Sequence, residues 1–267
     1  MSAERILNGK HAVVLGAGGA IGSAVAREFA AEGAEVFVSG RAPHGAEETA
    51  GLIKSDGRIA HAAVVDALDE AAVDAYFGAV AERAGSIDVL FNAMGSQASE
   101  YGNGTPATAL PLAQFMLPLT TMVPSQFLTA RAAARHMVRQ RSGAILMLTA
   151  TPARGAPGGV AIGATFGAME SMLRCLAAEL SPAGVRVTGI RSGGLIETRT
   201  IQHTLENIAR ATGAPLEQVR ANFEQRTPLK PAASLGDLAR LVAFLASDAA
   251  RPLAGAIVNA SGGALLD

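Results

Sequence analysis

Four glycines within seven residues, Gly16, Gly18, Gly19 and Gly22, lie between an apolar β-branched run at 12–15 and a helical pattern that begins at Ala24. Glycine lets the chain turn tightly and lets backbone approach a ligand closely. A helix N-terminus adds free N–H groups and a positive dipole end. Strand, glycine turn and helix in that order suit a pyrophosphate, with Ala20 and Ile21 completing the turn. The segment is read as the cradle of a dinucleotide. An acidic side chain at the end of the second strand would bind both ribose hydroxyls and repel a 2′-phosphate. Gly40 and Arg41 stand there instead. A guanidinium pairs a phosphate through two N–H groups, so NADP(H) is favoured over NAD(H).

Other reactive side chains point to less. Cys175 is the only cysteine, which rules out an intrachain disulfide; its apolar helical surroundings make it a small core residue. The five histidines are scattered without ligand spacing, and no metal site is expected. Arg131, Arg135 and Arg139 repeat every four residues along one helix face, a solvated or subunit-facing stripe, or one that meets an acidic partner.

The elements that must position the cradle alternate along the chain. Strands are predicted at 12–15, 35–39, 59–65, 87–91, 144–149, 185–190 and 256–259. Between them lie helices at 46–55, 69–83, 123–140, 160–180 and 234–246, and a loop rich in Gly, Ser, Thr and Pro at 96–111. Asp69 and the pair Ser234 and Asp237 are candidate helix caps, and Gly85 a helix stop. The segment 198–231 reads as a helical insertion that closes over a pocket as a lid. The fold class is α/β: one Rossmann-type doubly wound domain over 1–267, a seven-stranded parallel sheet flanked by helices. Net charge is −1, with 49% apolar and 17% charged residues, which argues against nucleic acid or an anionic membrane as partner. With no leader pattern and no run approaching a membrane span, the expected compartment is the cytoplasm.

The order of motifs resembles the short-chain dehydrogenase/reductase family over nearly the whole chain. Residues 15–22 match its T-G-x-x-x-G-x-G loop, with Leu15 for the Thr and Ala20 for the middle Gly. Asp66, followed by Ala67, falls where the family contacts adenine. Residues 88–95 match D-V-L-V-N-N-A-G, keeping Asn92 and Gly95 with Ala93 between. Residues 194–198 resemble the loop whose Thr, here Thr198, contacts the nicotinamide amide, with Gly194 at its start. Residues 244–248, Gly255 and Gly262-Gly263 match the C-terminal signature. The resemblance implies a small-molecule substrate and a homodimer or homotetramer built on the two long helices.

It also implies a Tyr acid, a Lys four residues later, a Ser before them and an Asn on the preceding helix. Hydride goes to carbon, and another group must give oxygen its proton. Counting back from Ala178-Glu179-Leu180, the Tyr position is Ile162 and the Lys position Phe166. The Asn position is Met122, and the Ser position Thr149 or Ala150. The tyrosines are Tyr76 and Tyr101 and the lysines Lys10, Lys54 and Lys230, so no Tyr-x-x-x-Lys occurs. Thr149 is the best-placed polar candidate, Tyr101 a substitute acid, and His136 a surface residue. The expectation is an NADP(H)-dependent oxidoreductase transferring hydride to a small apolar carbonyl, enone or iminium compound without the usual relay. The alternative is a cofactor-binding non-redox enzyme or a non-catalytic homologue.

Overall fold

A computed structural model describes residues 5–266; residues 1–4 and 267 of the expected 1–267 domain lie outside the described residues. The strands are β1 His11–Leu15, β2 Glu35–Gly40, β3 Ala60–Val64, β4 Val89–Asn92, β5 Gly143–Ala150, β6 Val185–Ser192 and β7 Ile257–Ala260. They form one sheet in the order β3-β2-β1-β4-β5-β6-β7, and every neighbouring pair is parallel. The helices are α1 Ala20–Ala31, α2 Pro43–Ser55, α3 Glu70–Ala84, α4 Leu112–Gln140, α5 Val160–Leu180, α6 Arg199–Thr212, α7 Leu216–Gln225 and α8 Leu235–Ala246. The predicted doubly wound α/β architecture is therefore present.

Side chains alternate across each strand, and this divides the core in two. Ala12, Val14, Val36 and Val38 pack with Phe29 of α1, Ile53 of α2 and Leu238 of α8. Val13, Leu15, Phe37, Ile145 and Met147 face the other way, onto Phe77 of α3, Met137 of α4 and Leu173 of α5. Phe29 and Phe77 are fully buried, and each such burial contributes about 1.5–3 kcal/mol. The predicted caps are in place. Asp69 accepts the Ala72 N–H at 3.1 Å, Gly85 ends α3 at φ 83°, and Ser234 and Asp237 form a capping box.

Several expectations need correction. α4 starts at Leu112, not near Val123, and carries Pro118 and Pro124 inside it. Each proline removes one amide donor, but the helix continues because its inner face, including Pro118 itself, is buried. Cys175 is exposed: Leu173 and Ala177 take the inward positions of that turn, and a helix turns the residue between them outward. The arginine stripe lies at the surface, as a solvated stripe would, with Arg135 and Arg139 exposed, and Arg131 pairs with Glu70 and Arg135 with Asp74 at 2.7 Å, both acids lying on α3. His136 is half-buried beside Arg139; burial, then the Arg139 charge, lowers its pKa. The stretch Val160–Ala183 is long and apolar enough to cross a membrane, contrary to the reading of the sequence. One face of it packs on the sheet through Leu173, Ala177 and Leu180.

Candidate active site

The sheet order reverses its progression between β1 and β4, and ligands of open α/β sheets bind beyond the carboxyl ends of the strands at such a point. The predicted site residues that end or follow six strands, β1 to β6, lie at that edge. Leu15 pairs in register with Ser39 on one side and Asn92 on the other, so the chain leaves β1, β2 and β4 at the same level. Ser39 carbonyl accepts the Ala17 N–H at 3.1 Å, and Gly40 carbonyl accepts the Val65 N–H at 3.0 Å. These bonds hold the glycine turn, Gly40-Arg41 and Asp66-Ala67 together.

The turn itself needs glycine for two different reasons. Gly16 has φ 71°, and a Cβ there would lie 2.8 Å from both the Ala93 carbonyl carbon and the Met94 nitrogen. Gly22 lies in the first turn of α1, where a Cβ would run into the Gly16 backbone. Gly19 is the N-cap of α1 and provides no side-chain cap, leaving the opening N–H groups of Ala20 and Ile21 to a ligand or solvent. Arg41 and Asp66 are exposed at the ends of β2 and β3; the Asp66 carboxylate accepts the Leu68 N–H at 3.0 Å.

Asn92 is buried and its side chain looks away from the turn. Its amide donates to Thr129 Oγ1 at 3.1 Å, its Oδ1 accepts the Met94 N–H at 2.9 Å, and Gln126 donates to its carbonyl at 2.8 Å. This ties β4 to α4, so backbone at Ala93 and Gly95 is what β4 offers a ligand.

Beyond the cradle opens a cavity of about 1130 Å³. Ile21, Asn92, Ala93 and Gly95 border it on the cradle side, and Met122, Ile162, Phe166 and Tyr101 form its apolar wall. The same wall belongs to a small cluster with Ala98, Ala161 and Met169, separate from the two sheet cores. Opposite lie Gly194, Thr198 and the α6–α7 segment. Phe223 and Ile201 close onto Gly194, and Thr198 caps α6 while donating to the Leu195 carbonyl at 2.7 Å. Asn103 donates to Thr204 Oγ1 at 3.1 Å, joining the 96–111 loop to α6 across the cavity. Arg210 and Arg226 are the charged members of its lining.

Thr149 lines the cavity, but its hydroxyl is turned inward and donates to Glu170 Oε1 at 3.0 Å. Glu170 in turn accepts from Arg191 Nε and Nη2, each at 2.8 Å, in a two-pronged ion pair with 6% and 7% side-chain exposure. Burial would raise the Glu170 pKa. The hydrogen bonds from Arg191 and Thr149, with the charges of Arg191 and Arg174, bring it below the usual carboxylate range instead. The sequence reading missed this pair. Its signal was a glutamate inside the apolar α5 pattern and an arginine ending an apolar strand.

Known proteins fit this geometry. A family profile described as enoyl-(acyl carrier protein) reductase matches residues 16–264. The chain is 30% identical over 262 residues to versicolorin reductase stcU of Emericella nidulans, covering 97% of this chain and 96% of that one. It is 28% identical over 258 residues to 7alpha-hydroxysteroid dehydrogenase of Escherichia coli K12, covering 96% and 94%. An NAD+-bound xylitol dehydrogenase superposes with a TM-score of 0.88 at 27% identity, covering 96% of this chain and 99% of that one. Sorbitol-6-phosphate 2-dehydrogenase SrlD from Erwinia amylovora gives 0.88 at 28%, covering 96% and 100%. With a glycine turn before α1, a parallel seven-stranded sheet and a cavity at the switch point, the chain belongs to the short-chain dehydrogenase/reductase family of oxidoreductases.

Proposed function

We propose that this chain is an atypical NADP(H)-dependent reductase acting on a small apolar carbonyl, enone or iminium compound without the Tyr-x-x-x-Lys relay. The observation behind the reading is the cavity wall: Ile162 and Phe166, at the relay positions, face an apolar space that begins at Ile21 of the cradle. The residues present suit a dinucleotide. Gly16, Gly18, Gly19, Ala20, Ile21 and Gly22 would hold the pyrophosphate, Gly40 and Arg41 the 2′-phosphate, and Asp66 and Ala67 the adenine. Asn92, Ala93, Gly95, Gly194 and Thr198 would border the nicotinamide half. When bound, that half supplies or takes a hydride. The chain's own part is to orient the acceptor and keep water away from it, which Met122, Ile162 and Phe166 do by being apolar. Losing a positioned acid–base group costs about 10²–10⁴ in rate, whereas orientation contributes roughly 7–11 kcal/mol. Positioning is the larger effect, so acceptors that need little protonation remain within reach. The same apolar residues favour a second reading, a protein that binds the dinucleotide without redox turnover.

A fluorescence titration with NADPH and NADH, followed by acceptor assays, separates the two. NADPH binding with turnover supports the first reading, binding without any turnover the second, and no binding defeats both. Arg41→Ala is expected to weaken NADPH about tenfold and leave NADH nearly unchanged, because the guanidinium meets only the 2′-phosphate. An equal loss for both dinucleotides contradicts the NADP(H) preference. The outward faces of α4 and α5, which carry Phe127, Val160 and Cys175, support the expected homodimer or homotetramer.

A further inference from the structure

Tyr101 sits on the loop between β4 and α4 and is 4% exposed. Its ring packs with Met122, Ala161, Ile162 and Met169, and it lines the cavity. Neighbouring hydroxyls are committed elsewhere: Ser96 bonds Thr121 at 2.9 Å, Thr149 donates to Glu170 at 3.0 Å, and Thr198 to the Leu195 carbonyl at 2.7 Å. The Tyr101 hydroxyl has no hydrogen-bond partner among the described residues, and it is not one of the polar atoms sealed off inside the protein. The Tyr101 side chain is part of the cavity lining. A phenol that no protein group satisfies is left to water or to a ligand oxygen, and the cavity it lines is where a ligand oxygen would come.

We infer that Tyr101 donates its hydroxyl hydrogen to the carbonyl oxygen of the acceptor, in place of the relay that Ile162 and Phe166 have displaced. The assignment rests on the hydride-transfer reading above. In the balanced step, written for a conjugated enone, the β-carbon gains a hydride from a reduced nicotinamide dinucleotide, which is left oxidised. The C=C π pair shifts to join the α-carbon and the carbonyl carbon, the C=O π pair moves onto oxygen, the Tyr101 O–H bond breaks, and its proton gives the enol, which tautomerises to the saturated ketone. Solvent then returns a proton to the phenolate. Tyr101 packs with Met122 of α4 and Ala161, Ile162 and Met169 of α5, and the opposite side of the cavity carries Ile201 and Thr204 with the cations Arg210 and Arg226. Glu100, next in the chain, accepts the Gln97 N–H. Burial pushes the Tyr101 phenol up to about 12, so it stays protonated and serves reduction as a donor without an adjacent lysine.

The test uses 2-cyclohexenone as probe on wild type and Tyr101→Phe. In wild type, isotope-edited infrared spectra are expected to show the bound carbonyl stretch at lower frequency than in the variant. With NADPH, the variant is expected to lose about 10² in kcat with little change in KM. Wild-type reduction should stay flat from about pH 6 to about pH 10, because the phenol does not ionise in that range. Turnover in wild type with an unaltered carbonyl band and rate in Tyr101→Phe overturns the assignment and leaves the hydride-transfer reading standing. A band shift with no wild-type turnover keeps Tyr101 as the carbonyl donor and removes that reading. The variant lacks only a hydroxyl, and a melting temperature close to wild type confirms that it is folded.

Discussion

Replacing Glu170 by alanine is expected to lower the unfolding free energy by about 3–5 kcal/mol, because it leaves the Arg191 guanidinium buried without its anion. Both side chains are almost fully enclosed, and the pair joins α5 to the end of β6 beneath the cavity floor, where Thr149 also donates to Glu170. Replacing both by leucine is expected to recover most of the loss, since an apolar pair carries no desolvation penalty. Denaturant unfolding of the two variants beside wild type gives both numbers. A loss below about 1 kcal/mol for Glu170→Ala contradicts the buried pair. The pH sign follows from the lowered Glu170 pKa. The unfolded chain takes up this proton first as pH falls, so the stabilisation is full above the ordinary carboxylate range. It disappears as pH drops through the folded value, and the double-leucine variant lacks this component of acid sensitivity.

Restoring the relay is expected to have the largest effect on rate. Ile162→Tyr combined with Phe166→Lys should raise reduction of a saturated ketone by about 10²–10⁴. Residues four apart on α5 share a face, and both line the cavity, so the new ring has space to enter. The ammonium at 166 would lower the new tyrosine from about 10 toward the working pH. Ile162→Tyr alone should gain far less. Steady-state ketone reduction by the three proteins measures this. An unchanged rate in a double variant that still binds NADPH means that α5 does not face the reacting carbon.

The fold was legible because its signals are local and repeated. Continuous apolar residues at 12–15 and 36–38 mark two-sided burial, and Asp69, Gly85 and Ser234 mark helix ends through their own side chains or φ. The cradle was legible for the same reason, since Gly16 and Gly22 answer to backbone that lies within a few residues or on the adjacent strand. What the sequence hid was orientation. Thr149 was placed at the cavity, but the direction of its hydroxyl depends on Glu170, which is 21 residues away and reached only through tertiary packing. Cys175 was misjudged because an apolar helix has an outside as well as an inside. The start of α4 was misplaced because two prolines argue against a helix that long-range burial nevertheless maintains.

If the cradle takes a reduced dinucleotide and the proposed acceptor pocket lacks the tyrosine–lysine relay, an enone should outpace a saturated ketone. Single-turnover oxidation of NADPH by the purified chain tests it, with 2-cyclohexenone compared against cyclohexanone and deuterium placed at the transferred position. A primary isotope effect is expected with the enone, together with a rate at least about 10² above the saturated ketone. Equal rates with the two acceptors, or rapid ketone reduction, would contradict it.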